Sequence, residues 1–368
     1  MTTQPGPGPR PLSVVADVDT GIDDALALTW LAARHRAGRL RLTVTASAGN
    51  TTAALAARNS REVLRVCGLG DLPVTCGAAA PREVPLVTTP ETHGPEGLGH
   101  WIPAVGADAP TVADAPDSPT VPDAPDSPDE AVRAWRDAAP DHIIVAGPAT
   151  TLAHAVDHAP DVLRSARVTL MTGAFLYPGN TTPTAEWNAW VDPHALAHVV
   201  EHWPEGAPLP TVCPLNVTER VLLRPERLAR ITAAVRAGGP GSGAGRPGEG
   251  PLVADFLDAV LRFYFEFHDA VGVGYAAQIH DLAAAQVALG AVGYSTRAAT
   301  VAVGTADDPL RGTTVADDPG AAGHWGRPAT ARILTDLDPE AVFDVFARDL
   351  RAAYAGGPGA APDCHLSQ

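Results

Sequence analysis

The sequence predicts an α/β protein in which helices cover both faces of an open, mostly parallel sheet. Short apolar segments of strand length alternate with longer segments of helical character from residue 12 to residue 354. Because parallel strands need a long crossover connection, usually a helix, this alternation favours parallel pairing. With 368 residues and 45% hydrophobic content, the chain is long enough to bury a large core.

The predicted segments follow one another without a change of pattern. The chain starts with the strand LSVVADV, a helix DDALALTWLAARHRAG, the strand RLTVTASAGN, a helix AALAARNSREVLRVCG and the strand LPVTCG. It continues with the helix DEAVRAW, the strand DHIIVAG, the helix TLAHAVDHA and the strand RVTLMTGA. A long helix around 252–268, a helix at HDLAAAQVAL, the strands RAATVAVG and ATARILTDL, and the helix EAVFDVFARDLRAAY complete it. One Rossmann-like sheet accommodates all of them.

Segments rich in proline, glycine and small polar residues lie outside this pattern. We expect a disordered tail at 1–11, a flexible tail at 357–368, and surface insertions at about 104–128 and 238–250. In the first insertion ADAPDSP is nearly repeated as PDAPDSP, with few apolar residues to repay ordering. We therefore predict a single domain over 12–356 that carries two insertions.

Composition and charge argue against several kinds of partner. The formal net charge is −16 and the isoelectric point is near 5.1, whereas nucleic acids and anionic membranes attract basic surfaces. No apolar run approaches the roughly 18 residues of a membrane span. The N-terminal residues also lack the apolar region of a signal peptide. We expect a cytoplasmic protein with a small-molecule ligand and no nucleic-acid or membrane partner.

The cysteines and the basic residues exclude further kinds of site. The cysteines Cys67, Cys76, Cys213 and Cys364 form no CxxC pair, which argues against a disulfide framework or structural zinc. All 26 basic residues are arginine. A Schiff-base lysine and a Walker A loop are therefore impossible.

Four aspartates are concentrated where the first strand passes into the first helix. Asp17 and Asp19 end the strand and, being two apart, point to the same face. Asp23 and Asp24 open the helix, where the helix dipole favours negative charge. Burying unpaired carboxylates costs several kcal/mol each. A hard cation, calcium or magnesium, would compensate this charge.

Two known motifs with paired aspartates fit this segment poorly. An EF-hand loop needs glycine at its sixth position, where Ile22 stands. A phosphatase of the haloacid-dehalogenase type also begins with a strand and DxD, but its loop resembles DVDTG only loosely and it normally needs a later lysine. The chain has no lysine, so a magnesium phosphohydrolase of that type stays as the less favoured alternative.

A third motif matches better. The segment DVDTGIDDALAL resembles the DxDxxxDD signature of the inosine-uridine-preferring nucleoside hydrolases. Six further segments resemble that family in the same order: SAGN, THGPEGLG, IIVAGPATTLA, LMTGAFLYPGNTTPTAEWNAWVDPHA, VCPLNVT and IHDLAAA. The resemblance implies calcium-dependent hydrolysis of the N-glycosidic bond of ribonucleosides, which releases free base and ribose.

The resemblance also implies a calcium site and a general base. The expected ligands are the carboxylates of Asp19, Asp24 and Asp281 and the backbone carbonyl of Thr150. Asp19 is the expected general base for the attacking water. Asp17 is expected to orient its neighbours.

The substrate is expected to meet one acid and a set of polar side chains. His280 is the expected acid for the departing base, with His93 as the alternative. Asp23 is expected to bond the ribose 2′-hydroxyl. The full set of expected substrate-binding residues is Asp23, Asn50, His93, Met171, Asn180, Glu186, Trp187 and Asn188.

Some positions depart from the family pattern, and they bear on the substrate more than on the chemistry. They are Thr151, Thr172, Trp187 and Asn216, and none of them removes a charged catalytic group. Two further alternatives therefore stay open: a hydrolase of another ribosylated small molecule, and a ribose-binding protein without turnover. The expected assembly is a homo-oligomer, either a dimer or a tetramer.

Overall fold

A computed structural model describes residues 10–104, 127–237, 249–318 and 323–354. The predicted tails and both insertions lie almost entirely outside these residues. The single domain over 12–356, with its insertions and tails, therefore stays a prediction.

Most of the longer strands of the described residues begin and end close to predicted segments. They are β1 (Leu12–Val18), β2 (Leu40–Ala46), β3 (Val74–Cys76), β4 (His142–Val145), β5 (Arg167–Met171), β6 (Thr211–Cys213), β7 (Leu222–Leu223), β8 (Ala277–Gln278), β9 (Tyr294–Val303), β10 (Thr314–Asp317) and β11 (Ala331–Leu337).

The helices lie between these strands. They are α1 (Ile22–Arg36), α2 (Ala53–Val66), α3 (Pro90–His93), α4 (Pro128–Ala138), α5 (Thr150–His158), α6 (Pro160–Ser165), α7 (Trp187–Val191), α8 (Pro193–Glu201), α9 (Leu215–Thr218), α10 (Pro225–Arg236), α11 (Glu249–Ala270), α12 (Asp281–Ala288) and α13 (Pro339–Tyr354). Within the described ranges, no helix is both long and apolar enough to span a membrane.

Nine strands form one sheet in the order β10-β9-β11-β6-β5-β4-β1-β2-β3. Every neighbouring pair from β11 to β3 is parallel, and β9 pairs antiparallel with both β11 and β10. The predicted open, mostly parallel sheet is confirmed. The chain leaves β1 toward β2 and β3 and later returns to place β4 on the other side of β1. Ligands of such sheets bind in the crevice at this reversal, beyond the carboxyl ends of the strands.

The strand β1 shows how the sheet is held between two helical layers. Val14, Ala16 and Val18 pack into a large cluster with residues of α1, α2, α11, α12 and α13. Val15, on the opposite face, packs with residues of α4, α5 and α8. Because both faces are covered, β1 is a continuous apolar run up to the point where its aspartates begin.

Candidate active site

The site begins where β1 ends and α1 starts, next to the crevice between β1 and β4. Asp17 lies within β1, Asp19 follows it, and Asp23 and Asp24 occupy the first turn of α1. All four residues are at most 5% exposed. The backbone N–H of Gly21 donates to Asp24 Oδ2 at 2.9 Å, which holds this carboxylate at the N-terminus of α1.

Asp281 joins this group from a distant part of the chain. It is the first residue of α12 and is buried. Carboxylate oxygens of Asp23, Asp24 and Asp281 lie within 4.8 Å of one another. We call these three residues the carboxylate group. Buried carboxylates at this separation repel one another unless one of them is protonated or a cation compensates their charge.

Asp19 lies beside the carboxylate group and is held by Asn50. Its Oδ2 accepts from the backbone N–H of Asn50 at 2.7 Å, and its Oδ1 accepts from Asn50 Nδ2 at 3.0 Å. The same Nδ2 lies 3.2 Å from Asp24 Oδ2, so Asn50 ties Asp19 to Asp24. Asp19 therefore lies outside the carboxylate group but is tied to it, and its role as a ligand stays a prediction.

Burial raises the pKa of every carboxyl group in this cluster. Desolvation, followed by the charge of Asp24, raises the pKa of Asp23 to about 7. The same two causes raise the pKa of Asp19 well above its usual range, and desolvation followed by the charge of Asp23 does so for Asp281. For Asp24 the cause that raises the pKa is desolvation. A bound cation would reverse this cost by favouring the ionised forms.

The residues present fit a hard divalent cation. Asp24 Oδ1 is buried and has no hydrogen-bond partner among the described residues. Ion pairs of arginine and histidine in the described ranges go to other carboxylates. The sequence also has no lysine that could balance the cluster. An all-oxygen donor set of this kind suits calcium or magnesium.

A cavity of about 560 Å³ opens next to the carboxylate group. The expected substrate-binding residues all line it, although they come from distant parts of the sequence. The expected residues on its wall are Asp23, Asn50, His93, Met171, Asn180, Glu186, Trp187, Asn188, His280 and Asp281. The folded chain therefore brings these residues together, and their individual roles stay predictions.

Glu186 and Asn188 form one side of the cavity at the start of α7. Glu186 caps this helix, since its carboxylate accepts from the N–H groups of Asn188 and Ala189 at 2.8 and 3.0 Å. Asn188 Nδ2 donates to the carbonyl oxygens of Ala146 and Met171 at 2.6 and 3.0 Å. Asn188 Oδ1 has no partner among the described residues, which leaves an acceptor for a ligand hydroxyl.

Trp187 and Asn180 stand at the outer part of the same wall. The backbone N–H of Trp187 donates to Asn180 Oδ1 at 2.9 Å, so Asn180 is held against the first residue of α7. The indole Nε1 of Trp187 is buried and has no partner in the described part of the chain. It is a donor that a substrate could satisfy.

The cavity histidines His93 and His280 are both held at Nδ1. His93 Nδ1 accepts from the backbone N–H of Ile22 at 3.0 Å, so the neutral ring carries its hydrogen on Nε2. His280 Nδ1 lies 2.9 Å from the hydroxyl of Thr218. Burial, with a further contribution from the charge of His268, lowers the pKa of each ring to about 3. Both rings are therefore neutral at pH 7 in the metal-free protein, whereas His280 was expected to act as an acid near neutral pH.

Sequence reasoning missed the wall opposite α7. It consists mainly of residues from the end of α11 and from the segment up to β8: Tyr264, Phe267, His268, Val271, Val273 and Gln278, together with Glu219. In the sequence Tyr264, Phe267 and His268 merge with the apolar stripe of a long helix, FLDAVLRFYFEFH, which predicts core. The spacing of four between Tyr264 and His268, which brings both to one helix face, was the available signal.

Thr150 stands apart from the cavity wall. Its hydroxyl donates to Asp192 Oδ2 at 2.7 Å at the start of α5. The proposed role of its carbonyl oxygen stays a prediction.

Among the departures from the family pattern, Thr172 donates to Glu186 at 3.0 Å. Asn216 exchanges two hydrogen bonds with the backbone of Phe175, at 3.0 and 2.8 Å, so both residues hold the cavity loops in place.

Known proteins resemble this chain in sequence and in fold. The sequence model of the family "Inosine-uridine preferring nucleoside hydrolase" matches residues 14–344. The chain is 29% identical to a pyrimidine-specific ribonucleoside hydrolase, RihA, of Shewanella woodyi, over 92% of this chain and 97% of that protein. It is 30% identical to the RihA of Citrobacter koseri, over 94% and 99%. It is 29% identical to a non-specific ribonucleoside hydrolase, RihC, of Salmonella paratyphi A, over 91% and 98%.

Solved structures show the same fold. A plant nucleoside hydrolase superposes with a TM-score of 0.72 at 23% identity, covering 93% of this chain and 99% of that one. A purine-preferring ribonucleoside hydrolase from Gardnerella vaginalis gives a TM-score of 0.72 at 20% identity, with the same coverage. The family match spans β1 to α13 and includes every residue of the carboxylate group. The chain therefore belongs to the inosine-uridine preferring nucleoside hydrolase family and is a nucleoside hydrolase.

Proposed function

We propose that this enzyme hydrolyses ribonucleosides to free base and ribose with one calcium ion bound at the carboxylate group. The observation that supports this most strongly is the convergence of three buried carboxylates beside a cavity lined by polar side chains. Asp24 and Asp281 would hold the ion, together with Asp19 and the carbonyl of Thr150. When bound, the ion supplies positive charge that acidifies a water and orients the sugar hydroxyls.

The residues of this chain then divide the work on the sugar. Asp19, held by Asn50, takes a proton from the attacking water. Asp23 bonds the ribose 2′-hydroxyl. The free Oδ1 of Asn188 accepts from another sugar hydroxyl. As the N-glycosidic bond breaks, the ring gains oxocarbenium character, and the surrounding carboxylates stabilise that positive charge.

The departing base leaves toward the wall formed by the end of α11. His280 is the proposed group that assists its departure, with His93 as the alternative. His93 has a defined N–H on Nε2, because its Nδ1 accepts from Ile22. For His280 the hydroxyl of Thr218 also bonds the carbonyl of Pro214 at 3.2 Å, which favours donation from His280 Nδ1 to Thr218. His280 would then need a proton on Nε2 to act as an acid.

The relatives differ in the base that they accept. The curated relatives include pyrimidine-specific and non-specific hydrolases, and the solved relatives include a purine-preferring one. Trp187, at a position where the family usually has phenylalanine, would narrow the outer cavity. A ribosylated compound other than the common nucleosides is the second candidate, because the cavity carries Trp187 on the wall formed by α7 and the partly buried Glu219 on the wall formed by the end of α11.

A nucleoside panel tests the proposal. Purified enzyme is incubated with inosine, adenosine, guanosine, uridine and cytidine, and both free base and reducing sugar are measured. Equal amounts of base and ribose are expected. Phosphate release from phosphate esters in place of base release would favour the magnesium phosphohydrolase. Ribose binding without any turnover would favour a binding protein.

We also propose that the enzyme is a homo-oligomer. Exposed apolar side chains support this: Leu176, Ile102 and Leu310 are 103%, 87% and 58% exposed. Size-exclusion chromatography with light scattering measures the mass of the assembly. A mass near the 37.9 kDa of one chain would contradict the proposal.

A further inference from the structure

Arg311 is a buried cation that the proposed chemistry does not use. The residue is 7% exposed and lies in the connection between β9 and β10. The carboxylate paired with it is that of Asp307, which is 3.8 Å away and whose side chain is 90% exposed. Because this ion pair is long and open to solvent, it compensates little of the cost of burying a guanidinium.

The guanidinium is instead satisfied by the end of α7. Arg311 Nε donates to the carbonyl oxygen of Trp190 at 2.9 Å, and Nη2 lies 3.4 Å from that of Val191. These carbonyls end the helix, where the helix dipole favours a positive charge. The guanidinium carbon also stands 4.2 Å from the centre of the Trp190 ring. Arg311 therefore fixes both the backbone and the ring of Trp190.

Trp190 connects Arg311 to the cavity. Its ring stacks on that of Trp187, with centroids 5.8 Å apart and an angle of 24° between the planes. Trp187 lines the cavity and bonds Asn180, which also lines it. The three side chains Arg311, Trp190 and Trp187 thus form a continuous stack from the buried cation to the cavity wall.

The connection that carries Arg311 is itself tied to the segment before α7. The hydroxyls of Thr184 and Thr313 lie 2.7 Å apart, and Ala185 pairs with Thr313 in an isolated β-bridge. Gly312 has φ +74°, and a Cβ there would come within 2.5 Å of Trp190 Cα. Glycine is needed at this position for the backbone to approach α7 so closely.

We infer that Arg311 is a positioning residue that sets the orientation of Trp187 and Asn180 against the substrate. Arg311→Met keeps an unbranched side chain of similar length, and so removes mainly the charge and the hydrogen-bond donors. The fork that contacts two carbonyl oxygens and the cation over the Trp190 ring are features that methionine lacks. The inference rests on the proposed function, because turnover of a ribonucleoside is its readout.

A double-mutant cycle between Arg311→Met and Trp187→Phe tests this inference. Each single variant is expected to raise KM about tenfold while kcat changes less than about threefold, because the contact is lost in substrate binding. If Arg311 acts through Trp187, the KM of the double variant should be no more than about twofold above the higher of the two single-variant KM values. Independent effects would multiply to about a hundredfold. Asp307→Asn is the matched control and should stay within about twofold of the parent enzyme.

The outcomes separate this inference from the proposed function. If the parent enzyme releases no ribose from any nucleoside, the proposed function fails. If it does, and the two substitutions multiply, or Arg311→Met leaves KM unchanged or lowers kcat alone, Arg311 is not a positioning residue. Thermal unfolding accompanies each variant. Should Arg311→Met not fold, Arg311→Lys, which keeps the charge but loses the fork, enters the same cycle with the same criteria.

Discussion

At the scale of single residues, the aspartates of the site differ in what holds them. Asp19 accepts two hydrogen bonds from Asn50, whereas Asp23 belongs to the tight group with Asp24 and Asp281. The sequence spacing predicts that these side chains meet, but it does not distinguish a ligand from a group that binds the sugar. Only the rotation of each side chain decides that, and spacing does not determine it.

Substitution separates the roles of these aspartates. Asp19→Asn should lower kcat by orders of magnitude, because it removes both a ligand charge and the general base. Asp23→Asn should keep the bound calcium and raise KM for ribonucleosides, because we assign Asp23 to the 2′-hydroxyl. Kinetics and calcium content of each purified variant are the measurements. Loss of calcium from Asp23→Asn would move Asp23 into the ligand set, as its place in the carboxylate group allows.

His280 is tested by a comparison of leaving groups. His280→Ala should slow natural nucleosides strongly, since assistance by a positioned acid typically contributes about 10²–10⁴-fold. It should barely affect p-nitrophenyl riboside, whose leaving group departs as a stable phenolate and needs no proton. The sugar contacts are common to both substrates and so cancel in the comparison. Equal losses on both substrates would make His280 structural and would turn attention to His93.

At the scale of elements, the segments that follow the strands position the site. Gly49, in the segment after β2, has no room for a Cβ, which would collide with Asp19 Oδ2 and come within 2.6 Å of Pro148. Its neighbour Asn50 holds the same carboxylate. The sheet therefore places Asp19 through close backbone contacts as well as through hydrogen bonds.

Gly49→Ala should therefore inactivate the enzyme while most of the fold persists. The new methyl group must displace Asp19, so ribonucleoside turnover should fall at least about a hundredfold, in line with losses from small displacements of catalytic groups. Gly70→Ala is the matched control, because its Cβ would meet Arg65 at an ordinary 3.7 Å. Assays of both variants beside far-UV circular dichroism check this. Full activity in Gly49→Ala would show that Asp19 can move without cost.

Most elements could be predicted because their apolar patterns are long. The strand LSVVADV coincides with β1, and EAVFDVFARDLRAAY lies within α13. Strand β10 has four residues, and β7 and β8 have two each. Their apolar patterns are too short to be recognised in the sequence. They form because tertiary contacts pair them with other strands, and the local sequence does not report this.

At the scale of the whole molecule, the buried charges link stability to pH and metal. Desolvation first raises the pKa of Asp17 and Asp23 to about 7 in the metal-free protein. The folded state holds protons on these carboxyl groups that the unfolded state releases above about pH 4. Their contribution to the stability of the folded state is therefore lost as the pH rises toward 7. Histidines with a lowered pKa, such as His93, act in the opposite direction. Because the folded state resists their protonation, the protein loses stability as the pH falls.

The difference between the Tm with calcium and the Tm without it, taken at one pH, removes the contribution of the histidines, which is common to both samples. The rise in Tm caused by calcium should be larger at pH 8 than at pH 5, since protons compete with the cation for the carboxylates at low pH. Scanning fluorimetry in EDTA and in calcium chloride across this range provides the test. A calcium-induced rise that shrinks with increasing pH would show that the buried aspartates do not bind the ion.

The general position of the site could also be predicted, but its second wall could not. The DxDxxxDD segment and the late His280–Asp281 pair indicate the crevice beyond β1, and the folded chain places both there. Tyr264, His268 and Gln278 join the cavity only through the packing of α11 and β8 beside it. Arg311 reaches the site through two tryptophan rings, a relation that no local pattern carries.

The central claim is that buried carboxylates hold calcium for ribonucleoside hydrolysis. Its most direct test is ribose release from the nucleoside panel by enzyme as purified, after EDTA treatment, and after calcium is returned. We predict that base and ribose appear in equal amounts, that stripping abolishes their release, and that about one calcium ion per chain restores it. Undiminished ribose release by the stripped enzyme, with an unchanged Tm, would contradict the claim.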